Sequence, residues 1–337
     1  MTTVAVLGAG TWGTTFAQVC ADAGGQVRLW ARDPQVSAQL SHGTNPAYLP
    51  GITLPDAVVA SPQLADAVEG ADVVALAVPS SQVRAVAEQV GHRLTPDAVV
   101  LSLAKGIEPG TCLRMSEVIQ VAAGLAPERI AVLSGPNLAL EVAARTPSVT
   151  VLASTDLTAA RLAARACATP YFLTHLDTDV IGTEIGGAVK NVVALFVGMA
   201  QGQGMGDNTK SALITRGLAE TIRLGVALGA DPATFSGLSG AGDLIATCMS
   251  DRSRNHEVGL ALGRGRALAE ALAERPQVAE GVTTCEAILA LAQRLHVDMP
   301  IVEAVVAIVH DGQLPALIGE ALMARERKPE KPHPAVR

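Results

Sequence analysis

The chain has 337 residues, 49% of them hydrophobic, so it can bury a large core, and its length favours two domains. The net charge of −7 gives no electrostatic reason to expect a nucleic acid or an anionic membrane as partner. Lys190 and Glu303 interrupt the longest apolar runs, and the N-terminus lacks the basic segment of a signal peptide, so we expect a cytoplasmic protein outside the membrane. The five cysteines and seven histidines are scattered without metal-ligand spacing, so neither a disulfide framework nor a metal site is predicted.

The first predicted element is a strand over residues 4–7 that runs directly into the pattern G-x-G-x-x-G at residues 8–13. A helix-compatible stretch over residues 14–23 follows. In this context Gly8 permits the tight turn, Gly10 lets backbone N–H groups approach a pyrophosphate, and Gly13 allows close packing of helix on strand. Glycines also cluster in loops for structural reasons alone, but the order of strand, turn and helix predicts a dinucleotide cofactor at the helix N-terminus.

Short apolar runs alternate with helical stretches up to about residue 180, as is typical of a mostly parallel sheet covered on both faces. The predicted strands lie at residues 4–7, 27–30, 58–60, 72–78, 98–103, 130–133, 148–153 and 171–174. Beyond them the sequence shows helical periodicity. We therefore predict an α/β protein, with a Rossmann-like, doubly wound N-terminal domain over 1–180 and an all-helical substrate-binding and catalytic domain over 181–324. The charged, proline-containing tail at 325–337 is expected to be disordered.

The residues after the second predicted strand bear on the choice between NAD and NADP. An acid at this point binds the ribose 2′-hydroxyl of NAD, whereas an arginine binds the 2′-phosphate of NADP. Both types are present, as Arg32 and Asp33. Because Asp33 precedes Pro34, we predict that it caps the next helix and leaves Arg32 for a 2′-phosphate. This interpretation favours NADPH, with NADH as the alternative.

Lys190 lies in an otherwise apolar helical stretch, where a long charged side chain is rarely buried without a partner. Side chains lean toward the helix N-terminus, so Lys190 is predicted to lie over Gly186 and Gly187, whose missing side chains would clear space for a ligand. A desolvated lysine has a lowered pKa and can act as general base toward a hydroxyl. The alternative is a surface lysine beside a helix–helix contact.

Two further segments suit a phosphorylated substrate. Lys105 follows a predicted buried strand, and ligands of open α/β sheets bind at the carboxyl ends of strands. Downstream, Asp243 and the run 253–255 supply an acid, a hydroxyl and a guanidinium before a helical stretch. An arginine beside a helix N-terminus makes a phosphate site, although each segment is also compatible with a helix cap or a solvated turn.

These motifs, in this order, resemble the bacterial NAD(P)-dependent sn-glycerol-3-phosphate dehydrogenases over nearly the whole chain. The shared segments are Gly8-x-Gly10-x-Trp12-Gly13, Asn45-x-x-Tyr48-Leu49-Pro50-Gly51, Val78-Pro79-Ser80, Lys105-Gly106-Ile107-Glu108, Ser134-Gly135-Pro136-Asn137-x-Ala139-x-Glu141-Val142, Gly187-Ala188-x-Lys190-Asn191, Gly240-x-Gly242-Asp243-Leu244 with Thr247, Ser253-Arg254-Asn255 and Glu280-Gly281. The resemblance implies a homodimer that reversibly reduces dihydroxyacetone phosphate to sn-glycerol 3-phosphate with NAD(P)H, feeding glycerophospholipid synthesis. Thr11 replaces the family's usual serine, and Asp33 stands where a second basic residue is common.

The resemblance also implies roles for individual residues. Lys190 would be the proton acceptor for the C2 hydroxyl. The substrate would be contacted by Lys105, Gly135, Asn137, Lys190, Asp243, Ser253, Arg254 and Asn255. The cofactor would be contacted by Gly8, Gly10, Thr11, Trp12, Gly13, Arg32, Tyr48, Lys105, Ala139, Arg254, Val278 and Glu280.

Two other functions share part of this pattern. A related 3-hydroxyacid or 6-phosphogluconate-type dehydrogenase also joins a Rossmann domain to a helical domain that bears a lysine. The segments at 105–108 and 253–255 argue against that function. A protein of a different class, a non-catalytic dinucleotide sensor, would need neither Lys190 nor Asp243 beside a phosphate pocket.

Overall fold

The computed structural model of the protein describes residues 1–315, so the tail expected at 325–337 lies outside the described residues. One eight-stranded sheet organises the N-terminal part. Its strands are β1 (Thr3–Leu7), β2 (Gln26–Trp30), β3 (Val58–Ser61), β4 (Val73–Leu76), β5 (Val99–Ser102), β6 (Ile130–Ser134), β7 (Ser148–Ala153) and β8 (Phe172–Asp177). They lie in the order β3-β2-β1-β4-β5-β6-β7-β8, and each pair of neighbours is parallel except β6 and β7. The mostly parallel sheet is thus confirmed.

Helices cover both faces of this sheet and then form a second layer of their own. The helices of the sheet domain are α1 (Thr11–Asp22), α2 (Pro34–Ser41), α3 (Leu64–Val68), α4 (Val83–Val90), α5 (Met115–Ala123), α6 (Ala139–Ala143) and α7 (Leu157–Cys167). Those of the helical part are α8 (Val180–Gly202), α9 (Asp207–Ala227), α10 (Asp243–Met249), α11 (Arg254–Gly263), α12 (Leu268–Ala273), α13 (Glu280–Arg294) and α14 (Pro300–Val309). The predicted Rossmann-like domain and helical domain are confirmed as architecture, while their boundary at residue 180 stays a prediction.

The core follows the same division. One apolar cluster lies on each face of the sheet, built around Phe16 and Leu29 on one side and around Leu7 and Leu76 on the other. A third cluster surrounds α8, which is buried along almost its whole length. All five cysteines are buried and free, as small core residues would be.

The reversal at β7 decides where α8 starts. β7 runs antiparallel to β6, and β8 runs parallel to β7. The carboxyl end of β8 therefore lies on the side of the sheet where β1 to β6 begin, opposite their carboxyl ends. α8 therefore begins at the far edge and rises beside β6, until Gly187 packs against Ser134 at the carboxyl end of that strand. At 1.5 Å per residue, Lys190 lies about 15 Å along the helix. The reversed strand pair thus places a residue from the middle of α8 at the carboxyl edge of the sheet.

α8 and α11 cross with their backbones in close contact. A Cβ built on Gly198 would overlap the carbonyl oxygen of His256, and one built on Gly259 would overlap that of Leu195. One turn later Gly202 and Gly263 repeat the arrangement. Any side chain at these glycines would force the helices apart, so the crossing keeps the N-terminus of α11 beside the middle of α8.

Within residues 1–315, α8 is the one helix whose length and apolar composition would suffice to cross a bilayer. In this structure 83% of its apolar window is buried inside the protein, as in the core helix of a globular domain.

Candidate active site

A cavity of about 520 Å³ lies between the carboxyl edge of the sheet and the helical domain. It gathers residues that are far apart in the sequence: the glycine turn, the end of β2, the segments after β4 and β5, the middle of α8 and the start of α13. The predicted site residues on its wall are Gly8, Gly10, Thr11, Trp12, Arg32, Tyr48, Lys105, Asn137, Lys190, Asn255, Val278 and Glu280. The structure thus brings most of the predicted site together.

The remaining predicted residues lie behind the wall or beside it. Asp243 contacts two lysines of the wall, and the carbonyl of Gly135 accepts a hydrogen bond from one of them. Gly13 and Ala139 pack at the glycine turn and against α1, respectively. Ser253 and Arg254 lie at the start of α11.

The glycine turn has the geometry that its sequence predicts. Gly8 has φ +119°, and a Cβ there would lie 2.7 Å from the carbonyl oxygen of Ala77. A Cβ on Gly13 would overlap the carbonyl oxygen of Gly8, so the helix can pack this closely on the strand only without a side chain. Both positions therefore require glycine, as a dinucleotide-binding turn does.

The N-terminus of α1 is suited to an anion. Gly10 has no side chain with which to cap the helix, and no described residue supplies a side-chain cap or an acid in the first turn. By contrast, Asp33 caps α2 and Ser253 caps α11. The first-turn N–H groups of α1 therefore face the cavity with the positive end of the helix dipole. The buried indole Nε1 of Trp12 also has no partner within residues 1–315. Polar donors without partners beside the glycine turn fit the phosphates of a dinucleotide.

Arg32 and Asp33 behave as the sequence predicts. Oδ1 of Asp33 accepts a hydrogen bond of 2.8 Å from the backbone N–H of Gln35, with Pro34 in the first turn, so the predicted cap is confirmed. Arg32 is exposed on the cavity wall, and its guanidinium has no hydrogen bond or ion pair to any residue of 1–315. Asp33 also lines the cavity, but one of its carboxylate oxygens is engaged in the cap, whereas the whole guanidinium of Arg32 is available to a ligand.

Two lysines and one aspartate form the most strongly charged part of the cavity. Asp243 is almost completely buried, and its Oδ1 and Oδ2 accept from Lys190 Nζ at 2.5 Å and from Lys105 Nζ at 2.6 Å. Lys190 also donates to Oγ1 of Thr247 at 2.7 Å, and Lys105 donates to the carbonyl of Gly135 at 3.0 Å. An ammonium has three N–H donors. Within residues 1–315, each lysine therefore keeps one donor for a ligand.

The surroundings of Lys105 in this cluster shift its pKa. Burial lowers the pKa of Lys105 from its ordinary value to about 8. The negative charge of Asp243 opposes this shift, and the positive charge of Lys190 adds to it. Two lysines share one aspartate here, so basic groups outnumber acidic ones in the pocket. A buried cationic pocket of this kind suits an anionic ligand such as a phosphate ester.

The predicted reason for Gly186 and Gly187 is wrong. A Cβ on Gly186 would overlap the carbonyl oxygen of Ser239, and one on Gly187 would lie 2.5 Å from Oγ of Ser134 and 3.4 Å from Cγ of Lys105. The space beside these glycines is therefore filled by protein, and not cleared for a ligand. Their role is to let the segment before α10 and the end of β6 approach α8, which brings Asp243 to Lys190.

Amide and carboxylate groups hold the start of α13 in place beside the cavity. Nδ2 of Asn255 donates to Oδ1 of Asn191 at 3.0 Å, and Oδ1 of Asn255 accepts from the N–H of Gly281 at 2.9 Å. Glu280 accepts from both the N–H and the hydroxyl of Ser80, at 3.1 and 2.6 Å. Burial raises the pKa of Glu280, and the hydrogen bonds from Ser80 oppose that shift. Asn255 thus ties α13 to the other helices, and Glu280 fixes the start of α13 to the sheet domain.

Arg254 is engaged by the protein itself. Its guanidinium donates to the carbonyls of Ala271, Leu272 and Gln277 at 2.9 to 3.2 Å and forms an ion pair with Glu257 at 3.3 Å. It is absent from the cavity wall that residues 1–315 form. Its predicted contacts with substrate and cofactor stay predictions, and they would require Arg254 to exchange these partners.

Two family models match the chain in register with this architecture. The model described as NAD-dependent glycerol-3-phosphate dehydrogenase N-terminus matches residues 3–160, and the corresponding C-terminus model matches residues 179–319. The chain belongs to the NAD-dependent glycerol-3-phosphate dehydrogenase family.

Individual members of the family match over nearly their full length. Glycerol-3-phosphate dehydrogenase (NAD(P)+) of Streptomyces griseus is 54% identical over 328 residues, covering 97% of this chain and 98% of that protein. The Thermobifida fusca enzyme of the same name is 54% identical over 333 residues, covering 98% and 99%. The crystal structure of glycerol-3-phosphate dehydrogenase from Coxiella burnetii is 35% identical, covers 96% of this chain and 99% of that one, and superposes with a TM-score of 0.92. The matches support the predicted family and neither alternative.

Sequence reasoning on this glycerol-3-phosphate dehydrogenase family member left several wall residues unassigned. The cavity wall also includes Trp30, Asn191 and Gln277. Thr247 accepts a hydrogen bond from Lys190. Asn191 could have been found, because an amide next to Lys190 in an apolar helix is as unusual as the lysine. Gln277 lies in a loop, where a polar residue gives no such signal.

Proposed function

We propose that the protein catalyses the reversible, NAD(P)H-dependent reduction of dihydroxyacetone phosphate to sn-glycerol 3-phosphate. The observation that carries the proposal is the position of Lys190. Its ammonium is buried between Asp243 and Thr247 with one donor left, on the wall of a cavity that also contains the uncapped N-terminus of α1. A proton donor and a dinucleotide-binding turn thus share one cavity.

Lys190 is the proposed acid and base. The bound nicotinamide supplies the hydride in reduction and accepts it in oxidation. In reduction the protonated Lys190 donates the proton that is not hydrogen-bonded to Asp243 or Thr247 to the C2 oxygen of the substrate. In oxidation the neutral amine takes that proton back. Asp243 and Thr247 each accept a hydrogen bond from the ammonium and so fix its direction. We assign both as positioning groups for the lysine.

The substrate phosphate is proposed to bind at the cationic end of the cavity. Lys105 lies there already, with one donor available. Arg254 joins it by exchanging carbonyl partners for phosphate oxygens, which its guanidinium can bind in pairs. Gly135, Asn137, Ser253 and Asn255 are the remaining proposed substrate contacts, and Asn137 supports this because its buried Oδ1 has no partner within residues 1–315.

NADPH is the proposed preferred cofactor. Asp33 is engaged as a helix cap and is therefore a poor partner for a ribose hydroxyl, whereas Arg32 is exposed on the wall with no protein partner in 1–315. A 2′-phosphate would give Arg32 a charge-assisted hydrogen bond. A homodimer in the cytoplasm, implied by the resemblance, remains part of this proposal.

The test is the absorbance of NAD(P)H on addition of dihydroxyacetone phosphate, with sn-glycerol 3-phosphate identified as the product. We expect oxidation of NADPH faster than of NADH, and an enzyme that also runs in reverse. Parallel assays with 6-phosphogluconate and a 3-hydroxyacid address the related dehydrogenases. Turnover of one of those and not of dihydroxyacetone phosphate would refute the proposal, and cofactor binding without any turnover would indicate a sensor.

A further inference from the structure

The segment between α12 and α13, residues 274–279, crosses the cavity next to the glycine turn, and we call it the strap. Pro276, Gln277 and Val278 of the strap lie on the cavity wall. Arg254 binds the carbonyl of Leu272, just before the strap, and the carbonyl of Gln277 within it. At its far end Glu280 begins α13 and is bound to Ser80 of the sheet domain. The strap is therefore held by Arg254, in part through the backbone of Gln277, and by Glu280 at its far end, while the side chain of Gln277 takes no part in these contacts.

The side chain of Gln277 reaches from the helical domain to the glycine turn. Its Nε2 lies 3.5 Å from Oγ1 of Thr11. That hydroxyl already donates to the carbonyl of Tyr48 at 3.0 Å, so it can only accept from the amide. Nε2 consequently keeps a second N–H. Oε1 of the same amide is buried and has no partner within residues 1–315, although buried acceptors are nearly always satisfied.

This pair of free groups matches one part of a dinucleotide. A primary amide offers an N–H to an anionic oxygen and a carbonyl oxygen to a hydroxyl donor. In a dinucleotide these two partners adjoin each other where the pyrophosphate meets a ribose, and the pyrophosphate binds at the N-terminus of the first helix, where Thr11 lies. The pyrophosphate and every ribose hydroxyl except the adenosine 2′-hydroxyl are the same in NADH and NADPH.

We propose that Gln277 is a further cofactor-binding residue, whose side-chain amide binds the pyrophosphate–ribose junction and ties the strap to the glycine turn. The inference rests on the dinucleotide site of the proposed function. It assigns the strap a role in cofactor affinity that is shared by both nicotinamide cofactors, in contrast to the 2′-phosphate contact proposed for Arg32.

The chain provides a direct readout of binding. Its two tryptophans, Trp12 and Trp30, both line the cavity. Energy transfer from these indoles to the reduced nicotinamide therefore measures the Kd of NADPH and NADH on the full-length protein, without turnover. We would compare Gln277→Leu and Gln277→Glu with the wild type. Gln293→Glu is the matched control, because Gln293 is exposed on α13, away from the cavity wall.

Gln277→Leu removes both hydrogen-bonding groups and should raise the Kd of both cofactors about 3- to 10-fold, the loss of one to two hydrogen bonds. Gln277→Glu places a negative charge at the phosphates and should raise both Kd values more than about tenfold at 50 mM salt. That excess should shrink at 500 mM salt, because salt screens the repulsion. Gln293→Glu should change neither value.

Three results would overturn the assignment: Kd values within twofold of wild type in Gln277→Glu, a loss confined to NADPH, or the same loss in Gln293→Glu. If one Gln277 variant has a lowered thermal unfolding midpoint, the Kd values of the other variant decide. The proposed reaction can fail separately. If the wild type bound NADPH and did not reduce dihydroxyacetone phosphate, the Kd comparison would still decide on Gln277.

Discussion

The two ends of the cavity differ in how their polar groups are engaged. At the glycine turn, the N-terminus of α1 has no side-chain cap among the described residues, and Trp12 and Arg32 keep unpaired donors. At the other end, Asp243 neutralises Lys105 and Lys190 in part, and four protein acceptors hold Arg254. One end presents free donors, whereas the other presents donors that are largely occupied.

This difference indicates different costs of binding. A ligand at the glycine turn meets groups that are already in place, so little rearrangement is needed. A phosphorylated substrate at the opposite end gains the free donor of Lys105 for its phosphate and that of Lys190 for its C2 oxygen, but it gains Arg254 only if the protein gives up carbonyl contacts. We therefore expect the cofactor end to bind independently and the substrate end to depend on exchange of partners.

Lys190→Ala should separate the two ends most sharply. It removes the proposed acid, so kcat should fall about 10²–10⁴-fold, the usual contribution of general acid–base catalysis. The Kd of NADPH should stay within twofold, because the glycine turn is untouched and Asp243 keeps Lys105 as its partner. Lys210→Ala is the control, since Lys210 pairs with Asp207 away from the cavity wall. A variant that kept more than about a tenth of wild-type kcat would exclude Lys190 as the acid.

Arg32→Ala should affect the cofactor end alone. Loss of a charge-assisted hydrogen bond to the 2′-phosphate costs about 1.5–3 kcal/mol, so the Kd of NADPH should rise about 10- to 150-fold. The Kd of NADH should hardly change, because NADH lacks that phosphate. Arg93→Ala, an exposed arginine elsewhere on the sheet domain, serves as the control. Equal losses for both cofactors would contradict the assignment of Arg32.

Arg254→Lys should weaken the substrate end more moderately. Lysine keeps the charge and loses the planar fork, so the KM for dihydroxyacetone phosphate should rise about tenfold. The preference of the enzyme for dihydroxyacetone phosphate over unphosphorylated dihydroxyacetone should fall as well. Arg252→Lys, in the preceding loop and paired with Glu141, should leave both quantities unchanged.

Some loss of cofactor affinity in Arg254 variants is expected, since Arg254 also holds the strap. The decisive quantity is the preference for the phosphorylated substrate. An Arg254→Ala enzyme with that preference intact would show that the phosphate binds elsewhere, at Lys105 first of all.

A change of pH should alter the substrate end least, and in a defined direction. Lys105, with its pKa lowered to about 8, is protonated below that pH and loses its charge above it. The KM for dihydroxyacetone phosphate should therefore rise about 3- to 10-fold from pH 7 to 9, whereas the substrate phosphate is fully ionised over most of this range. The Lys105→Met enzyme should have a high KM for dihydroxyacetone phosphate that does not rise further between pH 7 and 9. The same inflection in Lys105→Met would assign the titration to another group.

The sequence predicted the features of this protein that depend on neighbouring residues. The glycine turn needs only a strand before it and a helix after it, and the cap at Asp33 needs only Pro34 and Gln35. A lysine within an apolar helix was a sound signal, because a buried charge requires a partner wherever that partner comes from. Each of these inferences uses a short stretch of chain.

The inferences that fell short depend on contacts between distant segments. Gly186 and Gly187 show that side chains are missing, but the sequence does not say that Ser239 and Ser134 fill the space. The carbonyls of residues 271, 272 and 277 that engage Arg254, together with Glu257, could not be read from the sequence, and the phosphate contact of Arg254 stays a prediction. Local patterns identify the reactive groups, and tertiary packing decides which of them are free.

The glycine crossing of α8 and α11 joins segments that leave the ribosome at different times. Gly198 and Gly202 emerge first, with the apolar face of α8 exposed until the chain has been made as far as Gly263. Because non-local contacts of this kind form slowly and leave apolar surface open meanwhile, we expect the helical domain to be the late-folding part of the molecule. A chain truncated before α11 would keep that face uncovered, and aggregation is the outcome that such an exposed groove favours.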